Sequence, residues 1–154
     1  MLRKAEEKDI NRIAEILIFT KRVTYRPIFQ NDDVSFNIMQ VGKEIERMKN
    51  PDEIKDMYVY DDGIVRAILT IKYKENKVYV TDFYVDPFFQ SNGIGTKILD
   101  LILEKNKEKE IHVNPLDKNV KAVKFYEKYG FKYTGNKEEF LNSGFFMLDY
   151  CYKK

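Results

Sequence analysis

The run Val78-Tyr-Val-Thr-Asp-Phe-Tyr-Val85, followed by Gln90-Ser-Asn-Gly-Ile-Gly95 and then Thr96-Lys-Ile-Leu-Asp-Leu-Ile-Leu103, decides how this chain folds. Its first part is β-branched and aromatic, as a strand requires, and Ile94, Ile98, Leu101 and Ile102 recur at helical spacing in its last part. The glycines therefore sit between a strand and a helix. A turn of that kind leaves the first N–H groups of the helix without intrahelical acceptors, and the helix dipole adds roughly 0.3–1 kcal/mol for a nearby anion. The loop is suited to phosphate.

Two familiar phosphate loops do not fit. A dinucleotide fingerprint needs a third glycine where this chain has Ile98, and a P-loop needs Gly-Lys-Ser/Thr where it has Gly95-Thr96-Lys97. A simple nucleotide-phosphate binder is thus disfavoured. The Gln90-x-x-Gly93-x-Gly95 pattern instead resembles the Gln/Arg-x-x-Gly-x-Gly/Ala loop of the GNAT superfamily, the acyl-CoA-dependent N-acyltransferases. Downstream, Asn119-x-x-Ala122-x-x-Phe125-Tyr126-x-x-x-Gly130-Phe131 resembles the second signature of that superfamily. The resemblance covers the chain from Tyr58 onward; earlier residues match only in the order of elements.

The resemblance implies a fold in which the fourth and fifth strands splay apart and acetyl-CoA lies in the cleft, its pantetheine arm pairing like an added strand. Carried over, Gln90 and Ser91 belong to the cofactor loop, the N–H groups of Asn92, Gly93, Ile94, Gly95 and Thr96 hold the pyrophosphate, and the backbone of Tyr84 and Val85 pairs with the pantetheine and the thioester oxygen. Asn119 and Phe125 belong to the pantetheine side, and Tyr126 stands near sulfur. The implied activity is transfer of an acetyl group from acetyl-CoA to a primary amine on a small molecule or a protein. A non-catalytic acyl-CoA-binding module is the alternative, in which the loop holds the cofactor and the acceptor channel is closed.

The reaction itself sets further requirements. An alkyl amine with a pKa near 10.4 is only roughly one part in two thousand neutral at pH 7, so a group or a water chain must take its proton. Strand alternation puts Asp82 on the face of Val80 and Tyr84, where apolar neighbours are expected to raise its pKa, and makes it the candidate base. A bulge near Val85, usual in the superfamily, redirects it. Tyr126 is the candidate proton donor to the departing sulfur. Each has a plainer reading: Tyr126 as a packed helix tyrosine, Asp82 as an acceptor of loop hydrogen bonds.

The acceptor is not specified. Arg22, Tyr25, Arg26 and Phe29, with the Glu138–Phe145 segment, are candidates for its pocket because the superfamily's variable loops bracket that site. Arginines there suit a carboxylate or phosphate, while the aromatics equally suit a core.

Composition excludes several classes. The 27 basic and 25 acidic side chains leave a net charge of +2, so no strong field draws the protein to nucleic acid or anionic lipid. Lys118, Lys121, Lys124 and Lys128 read as a solvated helix face. No apolar run approaches the length of about 20 residues that crosses a bilayer. The charged start is unlike a signal peptide, and the lone Cys151 rules out an internal disulfide. Cytoplasmic residence is expected, as monomer or homodimer. His112 has no Cys, His or acidic partner at ligand spacing along the sequence, so no metal is expected, and no Ser-His-Asp or Cys-His nucleophile is recognisable.

At 154 residues a single domain over 1–154 is expected, burying about 68–70% of its unfolded surface. A helix from Ile10 to Thr20 is followed by a loop from Lys21 to Asn31, then by a helix capped at Ser35 or Asn37 and stopped by Pro51. Strands at Met57–Tyr60, Ile64–Tyr73 and Val78–Val85 form a meander, with Asp61-Asp62-Gly63 turning the first hairpin. Ile111–Val113 is the next strand, returning parallel after the glycine-loop helix. A helix from Lys118 to Tyr129 ends at Gly130, and strands at Phe131–Thr134 and Phe145–Tyr152 close the chain. The fold class is α/β (α+β), a mixed, mostly antiparallel sheet of about seven strands flanked by about four helices.

Overall fold

The computed structural model describes residues 1–154. Its strands form one seven-stranded sheet in the order β1-β2-β3-β4-β5-β7-β6, where β1 is Leu2–Lys4, β2 Met57–Asp61, β3 Val65–Lys74, β4 Lys77–Val85, β5 Glu110–Val113, β6 Lys132–Glu139 and β7 Phe146–Tyr152. The helices are α1 Ile10–Phe29, α2 Val41–Met48, α3 Pro51–Ile54, α4 Ile94–Lys105 and α5 Val120–Tyr129. The mixed α/β class and the strand count are as expected. By contacts the chain groups into two compact units, residues 1–71 with 82–102, and residues 72–81 with 103–154.

In the first unit, Ile10, Ile13, Ala14 and Leu17 of α1 pack with Met48, Met57, Val59 and Ile68, so one apolar helix face covers the β2–β3 hairpin. The run Ala67–Ile71 of β3 is buried without interruption, which marks a strand covered on both faces. β1 pairs antiparallel with β2, Leu2 opposite Tyr60, and β2 pairs antiparallel with β3 with a register shift between Tyr60 and Asp61.

Helix α1 runs past Thr20 to Phe29, where a loop was expected. Proline inside a helix removes a hydrogen bond and crowds the preceding turn, a cost of about 3 kcal/mol or more. Pro27, however, lies in the last turn of this helix, and the helix ends at Gln30, whose φ of 51° is left-handed and whose N–H donates to Arg26 O. Buried Tyr25 anchors that final stretch.

The expected second helix is divided. A π-helical turn spans Asp33–Ile38, Met39 and Gln40 are extended, and α2 begins only at Val41. Ser35 is fully buried and its carbonyl accepts from Arg22 Nε, so it caps nothing. Pro51 does not end a helix but starts one: it is the first residue of α3, with the Asn50 side chain accepting from Asp52 N.

In the second unit, β4 and β5 run parallel from Lys77 opposite Glu110 to Val80 opposite Val113, as a helical crossover demands. The pairing ends there, while β4 continues to Val85. β7 lies beside β5 in antiparallel register and β6 is the outer strand. Every residue of β6 is exposed, and its Lys and Glu side chains suit an edge that must not pair with other chains. β6 extends to Glu139, beyond the expected Thr134, so Glu138 belongs to a strand and the turn is confined to Phe140–Phe145, with Leu141 and Asn142 left-handed. Asn119 caps α5, its Oδ1 accepting from Ala122 N at 3.3 Å, and Gly130 ends it at φ 100°, the left-handed C-cap expected from the sequence.

Candidate active site

Within the first unit, the chain leaves β4 under close control. Asp86, only 6% exposed, accepts Phe88 N–H at 2.9 Å and the Arg12 guanidinium at 2.6 Å. Arg12 also donates to Val65 O, so α1 and β3 both hold the start of the loop. Gln90 Nε2 then donates to Val85 O at 3.0 Å, closing residues 85–90 on themselves. Ser91 at φ 67° and Gly93 at φ 75° turn the backbone twice through the left-handed region. A Cβ at Gly93 meets nothing within 4 Å, so conformation, not space within the protein, is what calls for glycine there. Lys97 N–H donates to Gly93 O, the first bond of α4. The amides of Ile94 and Gly95 thus stand at the positive end of a 12-residue helix.

Asp82 differs from its expected setting. It is exposed, and its φ of 48° is left-handed inside a strand, which breaks the alternation that was to place it among apolar neighbours. The apolar burial expected around it is therefore absent. The left-handed residue of this strand is Asp82 itself. Thr70 Oγ1 donates to Asp82 Oδ2 at 3.4 Å.

Three of the sequence-read residues meet in this unit. The hydroxyls of Tyr25 and Tyr84 are 3.2 Å apart, and Tyr25 packs on Phe29 with ring centroids 5.5 Å apart. Burial pushes the Tyr25 phenol above its ordinary pKa; the Tyr84 bond opposes that shift and the charge of Asp82 adds to it. Helix α1 thus supplies what the sequence assigned to a loop.

The two arginines are committed elsewhere. Arg22 donates to Ser35 O and Met39 O and stacks over Phe36, and Arg26 pairs with Asp32 through Nε at 2.8 Å. They line an open depression of about 660 Å³ together with Val23, Pro27, Gln30 and Asp32, whose floor carries both signs of charge. An uncommitted guanidinium for an anionic acceptor is not what they provide.

In the second unit, Asn119 spends its side-chain oxygen on the cap of α5, and its amide nitrogen is its other polar side-chain atom. Tyr126, 8% exposed, packs edge to face against Phe125 at 5.4 Å and Phe131 at 5.5 Å. Its ring is part of the core whatever its hydroxyl does.

Sequence spacing missed one cluster altogether. A ring nitrogen of His112, the Cys151 sulfur and a Glu110 oxygen all lie within 4.8 Å of one another. Glu110 and His112 share one face of β5, and Cys151 stands opposite His112 in β7. Alternation could have linked Glu110 to His112; only the β5–β7 register brings Cys151.

Residues 27–153 match the model of the acetyltransferase (GNAT) domain family, and the chain belongs to that family. Among curated relatives, the spermine/spermidine N(1)-acetyltransferase of Bacillus subtilis (strain 168) is 27% identical over 66 residues, which is 40% of this chain and 43% of that protein. The match thus spans less than half the length of that relative. Among solved structures, the PaiA N-acetyltransferase of Thermoplasma acidophilum, in complex with coenzyme A, superposes with a TM-score of 0.68 at 20% identity, covering 99% of this chain and 98% of that one. An N-acetyltransferase from Staphylococcus aureus Mu50 does so with a TM-score of 0.74 at 15% identity, covering 99% and 100%. No helix of the structure is long and apolar enough to cross a membrane.

Proposed function

We propose that this chain is an N-acetyltransferase that moves an acetyl group from acetyl-CoA to a primary amine by direct transfer. The observation that carries the reading is the loop from Gln90 to Thr96, closed by Gln90 on Val85, turned at Ser91 and Gly93, and ending on the amides of α4. Such a loop offers backbone donors and a helix N-terminus to a pyrophosphate.

In this reading the amine nitrogen attacks the thioester carbonyl, and its proton passes to Asp82 or through water. The tetrahedral intermediate then collapses with cleavage of the C–S bond, and coenzyme A leaves with a proton or hydrogen bond from Tyr126. Strained non-glycine backbone gathers at functional sites, and Asp82 is such a residue, beside the Tyr25–Tyr84 pair. The acceptor is a primary amine; polyamines head the panel because a relative is a spermine/spermidine acetyltransferase.

The test is release of thiol from acetyl-CoA across a panel of polyamines, aminoglycosides, amino acids and peptide N-termini, with longer acyl donors in parallel. Steady amine-dependent turnover with one class supports the proposal. Tight acetyl-CoA binding with no turnover on any amine would leave a binding module instead.

A further inference from the structure

We propose that Glu110, His112 and Cys151 form a binding site for a zinc ion on the β5–β7 strand pair. The site lies wholly within the second unit and does not depend on the acetyl-transfer reading.

The ligand atoms are grouped by sheet geometry. Cys151 opposes His112 across the antiparallel ladder, Glu110 is two residues before His112 on the same face, and their ligand atoms lie within 4.8 Å of one another. Zn–S near 2.3 Å and Zn–N near 2.0–2.1 Å put tetrahedral ligand atoms roughly 3.3–3.7 Å apart, so closure needs side-chain shifts on the order of 1 Å.

The state of His112 is the second, independent observation. Its side chain is 9% exposed, and its Nδ1 lies 2.9 Å from Asp149 Oδ1. Nδ1 is thus the ring nitrogen used in that pair, and Nε2 is the one left over. That Nε2 is buried and has no hydrogen-bond partner, an expensive arrangement for an imidazole nitrogen unless something binds it. Asp149 is itself fixed by Thr134 Oγ1 at 2.8 Å, and Tyr79 stacks on the imidazole at 5.1 Å between ring centroids. The carboxylate–imidazole pair is the arrangement that orients a metal-bound histidine and raises its basicity.

The donor set selects the ion. Thiolate and imidazole suit zinc, whereas magnesium and calcium take oxygen ligands. Coordination converts the Cys151 thiol to thiolate, its proton leaving to solvent, and leaves a fourth position for water. Lys153, which pairs with Glu110 at 2.8 Å, is exposed and must swing aside.

Titration of the full chain with zinc sulfate against a chromogenic chelator, and with cobalt(II) by absorbance, tests the site. One equivalent is expected to bind, with a thiolate-to-cobalt charge-transfer band in the near ultraviolet. Cys151→Ser should remove the band, Asp149→Asn should weaken zinc binding about 10–100-fold, and Lys153→Ala should tighten it. Circular dichroism confirms that each variant is folded, and Glu110→Gln, an isosteric change at a partly exposed side chain, supplies a second ligand variant expected to bind more weakly. A wild-type chain that binds no stoichiometric metal, or whose cobalt spectrum has no thiolate band, would overturn the proposal. So would a folded Cys151→Ser that binds zinc as well as the wild type.

Discussion

Gln90 Nε2 donates to the carbonyl of Val85 at 3.0 Å, so the first residue of the glycine loop is tied to the last residue of β4. Val85 O is thereby engaged within the protein. The bond fixes where the loop starts, and a preorganised loop loses less entropy on binding. Gln90→Ala should raise the Kd of coenzyme A about tenfold, near the value of one hydrogen bond, with kcat at saturation nearly kept. Calorimetric titration checks it; an unchanged Kd would show that the tie does not shape the site.

Gly93 at φ 75° is a position that a β-branched residue adopts only under strain. A ligand at a hundred times its Kd stabilises the native state by about 2.7 kcal/mol, which appears as a rise in Tm. Gly93→Val should lose that rise with acetyl-CoA while staying folded, because the glycine is exposed and a Cβ there meets no protein atom. A wild-type-sized rise in the variant would remove the loop from the binding site.

Tyr126→Phe isolates the hydroxyl from the ring, which packs on Phe125 and Phe131 in either case. General acid assistance contributes typically 10²–10⁴-fold, so kcat should fall about 10²-fold or more with acetyl-CoA affinity nearly kept. Turnover close to that of the wild type, measured where chemistry limits the rate, would make Tyr126 a packing residue only.

Asp82→Asn is a clean substitution because the side chain is exposed and asparagine tolerates the left-handed backbone. If Asp82 takes the amine proton, kcat/KM at neutral pH falls and the acidic limb of its pH profile disappears. The same acidic limb in a variant that binds acetyl-CoA normally would assign deprotonation to water or another group.

Arg3 clamps Asp9 with two bonds of 2.8 and 2.9 Å and reaches Asp61 at 2.9 Å. The Arg3 hydrogen bonds hold the Asp9 carboxyl below its usual range, and the same guanidinium, helped by the Gly63 N–H, does so for Asp61. A depressed carboxylate pKa stabilises the fold above the unfolded value near 3.9 and loses that contribution as pH falls through the folded value. Arg3→Met should cost about 1–3 kcal/mol at neutral pH by leaving buried Asp9 with only the Glu6 N–H as a partner, and should flatten the decline of stability below about pH 4. Urea unfolding at several pH values checks both; parallel wild-type and variant curves across the acid range would show that the clamp contributes no pH dependence.

The strand before the glycine loop, the helix after it, the cap at Gly130 and the parallel return of β5 were all legible in the sequence, because each depends on neighbours close along the chain. Spacing of apolar residues and the backbone freedom of glycine act over a few positions. The extent of α1 was not legible: Pro27 argues locally for a break, and the burial of Tyr25 outweighs it. Asp82 was placed by strand alternation, and the left-handed φ at that one residue turned it out to solvent. The meeting of Tyr25 with Tyr84, and of His112 with Asp149 and Cys151, belongs to the tertiary structure alone. His112 and Asp149 are 37 residues apart, and only the register of β5 on β7 sets them 2.9 Å from each other. Such a register is fixed by which faces are buried across the whole sheet, a property of the packed molecule that no short stretch of sequence carries.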